Sequence, residues 1–107
     1  MGSTVGARMS QGTVEGTGST IDIELEFTPS SVFVMNIDDP GSLWWVASMA
    51  DASGLKNDGA GTMSLITSAG ITPVRSTVME TDLPGFQIGA DTDINVSAQT
   101  MHWIAWE

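Results

Sequence analysis

Residues 21–37 read IDIELEFTPSSVFVMNI, and this stretch decides the expected fold. Its first seven residues alternate apolar and acidic side chains, which is the period-two pattern of a strand with one buried and one wet face. Pro29 restricts the backbone on both sides of itself, so we expect the chain to turn at 28–31. Residues 32–37 are apolar except for Asn36 and rich in β-branched and aromatic side chains. This is typical of a strand that is covered on both faces or central in its sheet.

The alternation predicts which side chains of this stretch point inward. We expect four of them to be buried: Ile21, Ile23, Leu25 and Phe27. The carboxylates between them are expected to be exposed or at a subunit contact: Asp22, Glu24 and Glu26. The first strand and the one that follows it predict a hairpin or a corner where the chain crosses between sheets.

The rest of the chain repeats short apolar runs between turn signals, without a long helical period. Residues 51–61, rich in Ala, Gly, Asp and Ser, are expected to form an irregular loop or to contain one helical turn. Residues 77–84 are interpreted as a polar connection, and the alternation around Val14 allows a short edge strand within 12–18. The remaining predicted strands are 43–49, 63–68 with 71–75 extending or following it, 85–89, 94–98 and 100–106.

About seven short strands at this spacing predict an all-β fold, a single-domain β-sandwich or barrel of mostly antiparallel strands. Residues 12–107 are assigned to this domain. Residues 1–11 are interpreted as an N-terminal arm that is either flexible or contact-forming.

The composition disfavours several classes of partner. Thirteen acidic residues face three basic ones, giving a formal net charge of -10. Such a chain is repelled by nucleic acid phosphates and by anionic lipid surfaces, so neither partner is expected. There is no cysteine, which excludes disulfides and thiolate metal sites and fits assembly in the cytoplasm. No apolar run approaches the roughly 20 residues of a membrane helix.

The titratable residues suggest no catalytic machinery. His102 is the only histidine, and it alternates with Met101 and Trp103 in the last predicted strand. One histidine cannot build a multi-histidine zinc site, and no carboxylate is placed beside it by the sequence. Two aspartate pairs, Asp38/Asp39 and Asp91/Asp93, could bind a hard cation, but Asp is common in turns because it caps its own backbone. No catalytic, cofactor-binding or metal-binding residue is therefore assigned.

The tryptophans are the strongest candidates for an interaction surface. Trp44 and Trp45 are adjacent and Trp103 and Trp106 are three apart, so in a regular strand the members of each pair face opposite sides. Exposed tryptophans either stack on sugar rings or anchor protein interfaces. Together with the basic residue of the arm, they make up the interface candidates: Arg8, Trp44, Trp45, Trp103 and Trp106.

Several motifs together resemble a group of small virion proteins of tailed bacteriophages. They are the F-x-P-S turn at 27–30 between two strands, the G-F-x-x-G-x-D-x-x-I-N segment at 85–95, and an aromatic final strand that ends in HWIAW at 102–106. The resemblance extends from about residue 20 to the end of the chain. None of these motifs is catalytic.

The resemblance implies a non-enzymatic virion structural protein. Its first form is a capsid decoration, or cement, protein on the capsid surface, which binds the major capsid protein and acts as a homo-oligomer, with a trimer favoured. The alternative is a tail or head fibre module that recognises surface glycan. A single small domain without heptads or fibre-like repeats favours decoration, and the arm with Arg8 is expected to contact a neighbouring subunit or an acidic shell.

Overall fold

Eight antiparallel strands form one strongly curled sheet, a half-barrel, in the part of the chain that the computed structural model describes, residues 8–75 and 83–107. The all-β, single-domain fold is confirmed, and these residues contain no helix. The strands are β1 (Met9–Glu15), β2 (Ile21–Glu24), β3 (Ser31–Asn36), β4 (Gly41–Val46), β5 (Ser53–Asn57), β6 (Met63–Val74), β7 (Gly85–Ile88) and β8 (Thr100–Trp106).

The strand order is β1-β8-β3-β4-β5-β6-β7-β2, so the first two strands of the chain form the two edges of the sheet. The curl brings these edges towards each other along a seam. At one end of the seam, Arg8 Nη1 donates a hydrogen bond to the carbonyl oxygen of Glu26 at 2.9 Å. At the other end, Asn95 Oδ1 accepts a hydrogen bond at 2.9 Å from the backbone N–H of Thr17, which lies in the β1–β2 connection.

The stretch that decides the fold turns a corner at Pro29 and makes no hairpin. β2 pairs with β7, whereas β3 lies between β8 and β4 and is central in the sheet. The chain leaves the corner at Ser30, whose N–H donates to the carbonyl oxygen of Trp106 at 2.7 Å and whose carbonyl accepts from the N–H of Ala47 at 2.8 Å. Pro29 has no N–H to extend the β2 ladder, so the chain is free to change partners there.

The apolar and acidic side chains of residues 21–27 face as predicted, but the expected burial of all four apolar residues is wrong for three of them. Phe27 is buried, and Ile21, Ile23 and Leu25 are half-buried and pack against the core. The three carboxylates between them are exposed. An edge strand has a neighbour on one side only, which explains the incomplete burial.

The core fills the inside of the curl with side chains from five strands and one turn. Ten residues form it: Val32, Val34, Leu43, Trp45, Ile71, Phe86, Ile88, Ile94, Met101 and Ala105. Trp103 extends this core towards the seam, where its ring meets Phe86 edge-on with centroids 5.5 Å apart.

Two predicted segments differ from the structure. Residues 94–98 form turns and no strand, because the side chain of Asp91 accepts hydrogen bonds from the N–H groups of Asp93 at 2.9 Å and Ile94 at 3.2 Å. Such local bonds compete with a β ladder. Residues 51–61 contain β5, where an irregular loop or helical turn was expected. The predicted runs 63–68 and 71–75 belong to one strand, β6, with a register shift opposite the start of β5.

Residues of the predicted arm enter the sheet. β1 begins at Met9, so the last three residues of the 1–11 segment pair with β8. Residues 1–7 lie outside the described part of the chain, as do residues 76–82, which include most of the predicted polar connection at 77–84.

Candidate protein-docking face

The convex side of the sheet presents a continuous row of large apolar side chains. Trp44 pairs with Phe33 on one side and with Leu55 on the other, and the row continues to Leu65 and Ile104 through the same register. Neighbouring strands lie about 4.8 Å apart, so directly opposite side chains touch. We call this surface the outer face, and it comprises Phe33, Met35, Trp44, Leu55, Met63, Leu65, Ile104 and Trp106.

The outer face is open to solvent. Trp44 is 46% exposed, Leu65 64% and Met63 59%. Phe33 is half-buried beneath Trp44, since the two ring centroids are 5.1 Å apart with the planes tilted by 54°. Single exposed apolar residues are normal on proteins, but a contiguous apolar patch usually marks a site of interaction.

The outer face is also free of carboxylates, although the chain carries thirteen of them. β3, β4, β5, β6 and β8 contain no Asp or Glu at all. The acidic residues of the described strands lie in β1 and β2 only, at Glu15, Asp22 and Glu24. The single charged side chain of the other five strands is Lys56, which is bound to Asp91 and Asp93. A neutral apolar surface therefore interrupts a strongly acidic one.

A trough of about 440 Å³ lies on this face beside the row, where β1, β8 and β3 adjoin. Its apolar wall comes from Phe33, Met35 and Ile104, and its polar groups come from Gln11, Thr13 and His102. Gly12 also lines the trough and brings no side chain to it. The trough combines apolar walls with a few polar groups, which suits a large amphipathic side chain such as that of tryptophan.

The adjacent tryptophans of β4 separate as their alternation predicts. Trp44 stands on the outer face. Trp45 is 1% exposed in the core, and its indole Nε1 donates to the carbonyl oxygen of Ala50 at 3.2 Å. Trp45 is thus part of the core, and Trp44 is available for contacts.

The two tryptophans of β8 also face opposite sides. Trp103 points inward and is half-buried against Phe86. Trp106 points outward and is 36% exposed, next to Ser31 on one neighbouring strand and Met9 on the other. The structure therefore brings Trp44 and Trp106 onto the outer face and places Trp45 and Trp103 inside.

Arg8 lies at the seam, away from the outer-face row. Its guanidinium forms two hydrogen bonds with the Glu107 carboxylate, at 3.0 and 2.7 Å, and lies 5.4 Å from the ring centroid of Phe27. The hydrogen bond from Arg8 lowers the pKa of Glu107 below its usual value. Arg8 thus joins the first strand, the chain end and the β2 side of the seam.

Three of the four paired aspartates make structural contacts through their carboxylates. Asp38 Oδ2 accepts a hydrogen bond from the N–H of Thr100 at 2.8 Å. Asp91 and Asp93 bind Lys56 Nζ at 3.0 and 2.6 Å. Partial burial alone would lower the pKa of Lys56, but hydrogen bonds to Asp93 and Asp91 outweigh it and raise that pKa. Across residues 8–75 and 83–107, no group of three or more histidine and carboxylate side chains is arranged to hold a metal ion.

His102 is exposed on the outward side of β8, in the trough. Its cross-strand neighbours are Met35 and Thr13, so no carboxylate stands opposite it. This environment offers it packing against Met35 and hydrogen bonding to Thr13 or solvent.

Sequence reasoning missed most of the outer face. Phe33 and Met35 could have been recognised from the sequence, because the run at 32–37 has apolar residues on both faces of the strand. Leu55, Met63 and Leu65 gave little signal, because an outward position can be recognised only once the register of β5 and β6 is known.

No helix in the described parts of the chain is long and apolar enough to cross a membrane.

Comparisons with known proteins found no match. No family model, no curated protein and no solved structure matches the chain.

Proposed function

We propose that this chain is a non-enzymatic structural protein of a tailed-phage virion, a capsid decoration protein that binds the assembled shell as a homo-oligomer and stabilises it. The phage assignment comes from the resemblance at 27–30, 85–95 and 102–106. The docking role has separate support in the surface of the sheet.

The observation that carries the docking role is the outer face. A small acidic domain gains solubility from its charge but cannot bring two acidic surfaces together without repulsion. Placing the exposed apolar side chains on strands without a carboxylate provides one surface where close contact is favourable. Tryptophan is enriched among residues that dominate binding energy, so Trp44 is the expected anchor.

The proposed partner of the assembled subunits is the major capsid protein. A ligand that binds only the assembled shell stabilises that state by mass action, which is how decoration would act. The N-terminal residues that precede β1 are proposed to reach a neighbouring subunit or the shell, because β1 brings the chain start to an edge of the sheet.

The test is co-sedimentation of the purified chain with shells of the phage that encodes it, before and after shell expansion. Saturable binding, with a copy number comparable to that of the capsid subunit, is the expected result. A variant that lacks residues 1–7 keeps all of β1 and should bind more weakly, with an unchanged circular dichroism spectrum. Absence of binding to both kinds of shell would reject the decoration role.

A second candidate function, glycan recognition by a fibre module, has one specific observation in its favour. The exposed indole of Trp44 is backed by Phe33, and aromatic faces of this kind stack on sugar rings. Titration with oligosaccharides, followed by tryptophan fluorescence, separates the two functions. A saturable response that Trp44→Ser removes and Trp106→Ser retains would favour the fibre module.

A further inference from the structure

We infer that the outer face is covered by a second copy of this chain, packed face to face about a two-fold axis, with Trp44 of each copy seated in the trough of the other. This rests on the proposed function and deepens its oligomer part by naming the contact surface and its symmetry, and it replaces the trimer favoured from the sequence by a two-fold dimer.

The shape of the face supports a self-complementary contact. Trp44 projects from β4, and the trough lies over β8, β1 and the near side of β3. β3 is the direct neighbour of both β4 and β8, so the projection and the depression flank the same strand. A two-fold axis that runs parallel to β3 between the two copies, near Phe33 and Met35, would place each Trp44 over the partner's trough. In such an isologous contact, the same patch serves both subunits.

The charge distribution favours an identical partner over an oppositely charged one. A basic partner would be matched by carboxylates on the contact surface, whereas β3, β4, β5, β6 and β8 have none and β1 contributes only Glu15, at its end. Two copies that each carry a net charge of -10 repel wherever their acidic loops approach. The outer face is the surface on which two copies can meet with those loops directed away from the contact.

The dimensions match the centre of an ordinary interface. With the axis at β3, five strands of each copy overlap, β5 to β1; at about 4.8 Å spacing, and with three side-chain rows at about 7 Å spacing, they give roughly 19 by 14 Å in plan. This is smaller than the roughly 800 Å² per partner of a standard interface, so a polar rim must complete it. Polar side chains next to the row provide that rim: Gln11, Thr13, Ser31 and Ser42.

The first experiment measures mass by analytical ultracentrifugation of the purified chain, without shells. We expect a dimer or another even-numbered oligomer whose affinity increases with salt, because salt screens the repulsion while the apolar contact remains. Trp44→Ser should weaken the self-association at least about thirtyfold, the loss expected from a hot-spot residue. Leu83→Ser is the matched control, since Leu83 is 56% exposed and lies off the outer face, and it should leave the association unchanged.

The second experiment tests the axis directly. The chain has no cysteine, so a single introduced thiol reports only on itself. Met35→Cys stands near the proposed axis and should give a covalent dimer with a short bismaleimide. Leu65→Cys lies three strands away, about 14 Å from β3, and its two copies would be about twice that distance apart and should not cross-link.

Both positions are solvent-exposed, so the two variants are expected to fold. A monomer at all accessible concentrations, an odd-numbered oligomer, or cross-linking through Leu65→Cys but not Met35→Cys would each overturn the inference. Because no shell is present in these measurements, they can fail while decoration holds, and decoration can fail while they succeed.

Discussion

Asn95 is the residue whose replacement tests the architecture most sharply. It is 1% exposed and sits in the turn between β7 and β8. Its Oδ1 accepts hydrogen bonds from the N–H groups of Thr17 at 2.9 Å and Gly18 at 3.3 Å. Its Nδ2 donates to the carbonyl oxygens of Ser19 at 2.6 Å and Gly89 at 3.0 Å. One side chain thus closes one end of the seam.

We expect Asn95→Ala to destabilise the fold by about 2–4 kcal/mol. Four hydrogen bonds disappear, each with a net contribution of roughly 0.5–1.5 kcal/mol. The backbone groups at 17–19 are near solvent and recover part of that loss through water. Those at Gly89 are half-buried and recover less.

Asn95→Asp keeps the shape and the acceptor but loses the donor that faces two carbonyl oxygens. The carboxylate would be buried and opposed by those oxygens, which raises its pKa in the folded state above the unfolded value. The loss of stability relative to the wild type should therefore be smallest at low pH and grow as the pH rises through the ordinary aspartate range, about 4. At pH 7 this variant should be less stable than Asn95→Ala.

The assay is urea unfolding followed by circular dichroism at one fixed protein concentration, because self-association adds to apparent stability. Asn57→Ala is the matched control. The Asn57 side chain accepts one hydrogen bond near the surface, from the N–H of Gly59 at 3.1 Å, and its loss should cost no more than about 1 kcal/mol. A loss below about 0.5 kcal/mol for Asn95→Ala would refute the role assigned to this residue.

Three further changes probe other parts of the fold by the same unfolding assay. Leu25→Ala should cost about 1–3 kcal/mol, less than the 2–5 typical of a fully buried leucine, because Leu25 is only half-buried; no loss would refute its packing. Lys56→Met should cost about 3 kcal/mol, since it leaves the buried Asp91 without its cation. In the wild type, the raised pKa of Lys56 stabilises the fold fully at any pH below the unfolded-state pKa of this group. That stabilisation is lost as the pH rises through the folded-state pKa. Gly16→Ala should cost at least about 2 kcal/mol, because an added Cβ would collide with the backbone carbonyl of Val96, and tolerance of this change would disprove the close approach.

The strands that are clearest from the sequence are those whose own alternation or composition is typical of a strand. β2 alternates strictly, and β3, β4 and β8 carry runs of β-branched and aromatic residues. β5 reads SGLKN and has a single large apolar residue. It is a strand because β4 and β6 pair with it on both sides, which is information its own composition does not contain.

The strand predicted at 94–98 was wrong for the opposite reason. Ile94 and Val96 favour a strand, but the side chain of Asp91 accepts hydrogen bonds from the N–H groups of Asp93 and Ile94 and favours turns instead. The side chain of Asn95 ties the segment to the carbonyl oxygen of Gly89. The outer face was predictable only in part. Trp44 was recognised as one member of a pair with opposite facings, whereas the row from Leu65 to Ile104 exists only in the register of five strands.

The position of β1 and β2 at opposite edges of the sheet has a consequence for the order in which the chain can fold. β3, β4, β5 and β6 pair with their neighbours along the sequence, so they can form as soon as they are synthesised. β1 is synthesised before the other seven strands, but its partner is β8, and Met9 pairs with Trp106. The first strand must therefore wait for the last one. A nascent chain that stops before β8 has a central meander with one edge of β3 uncovered, and completing the seven residues of β8 adds two strands to the sheet at once.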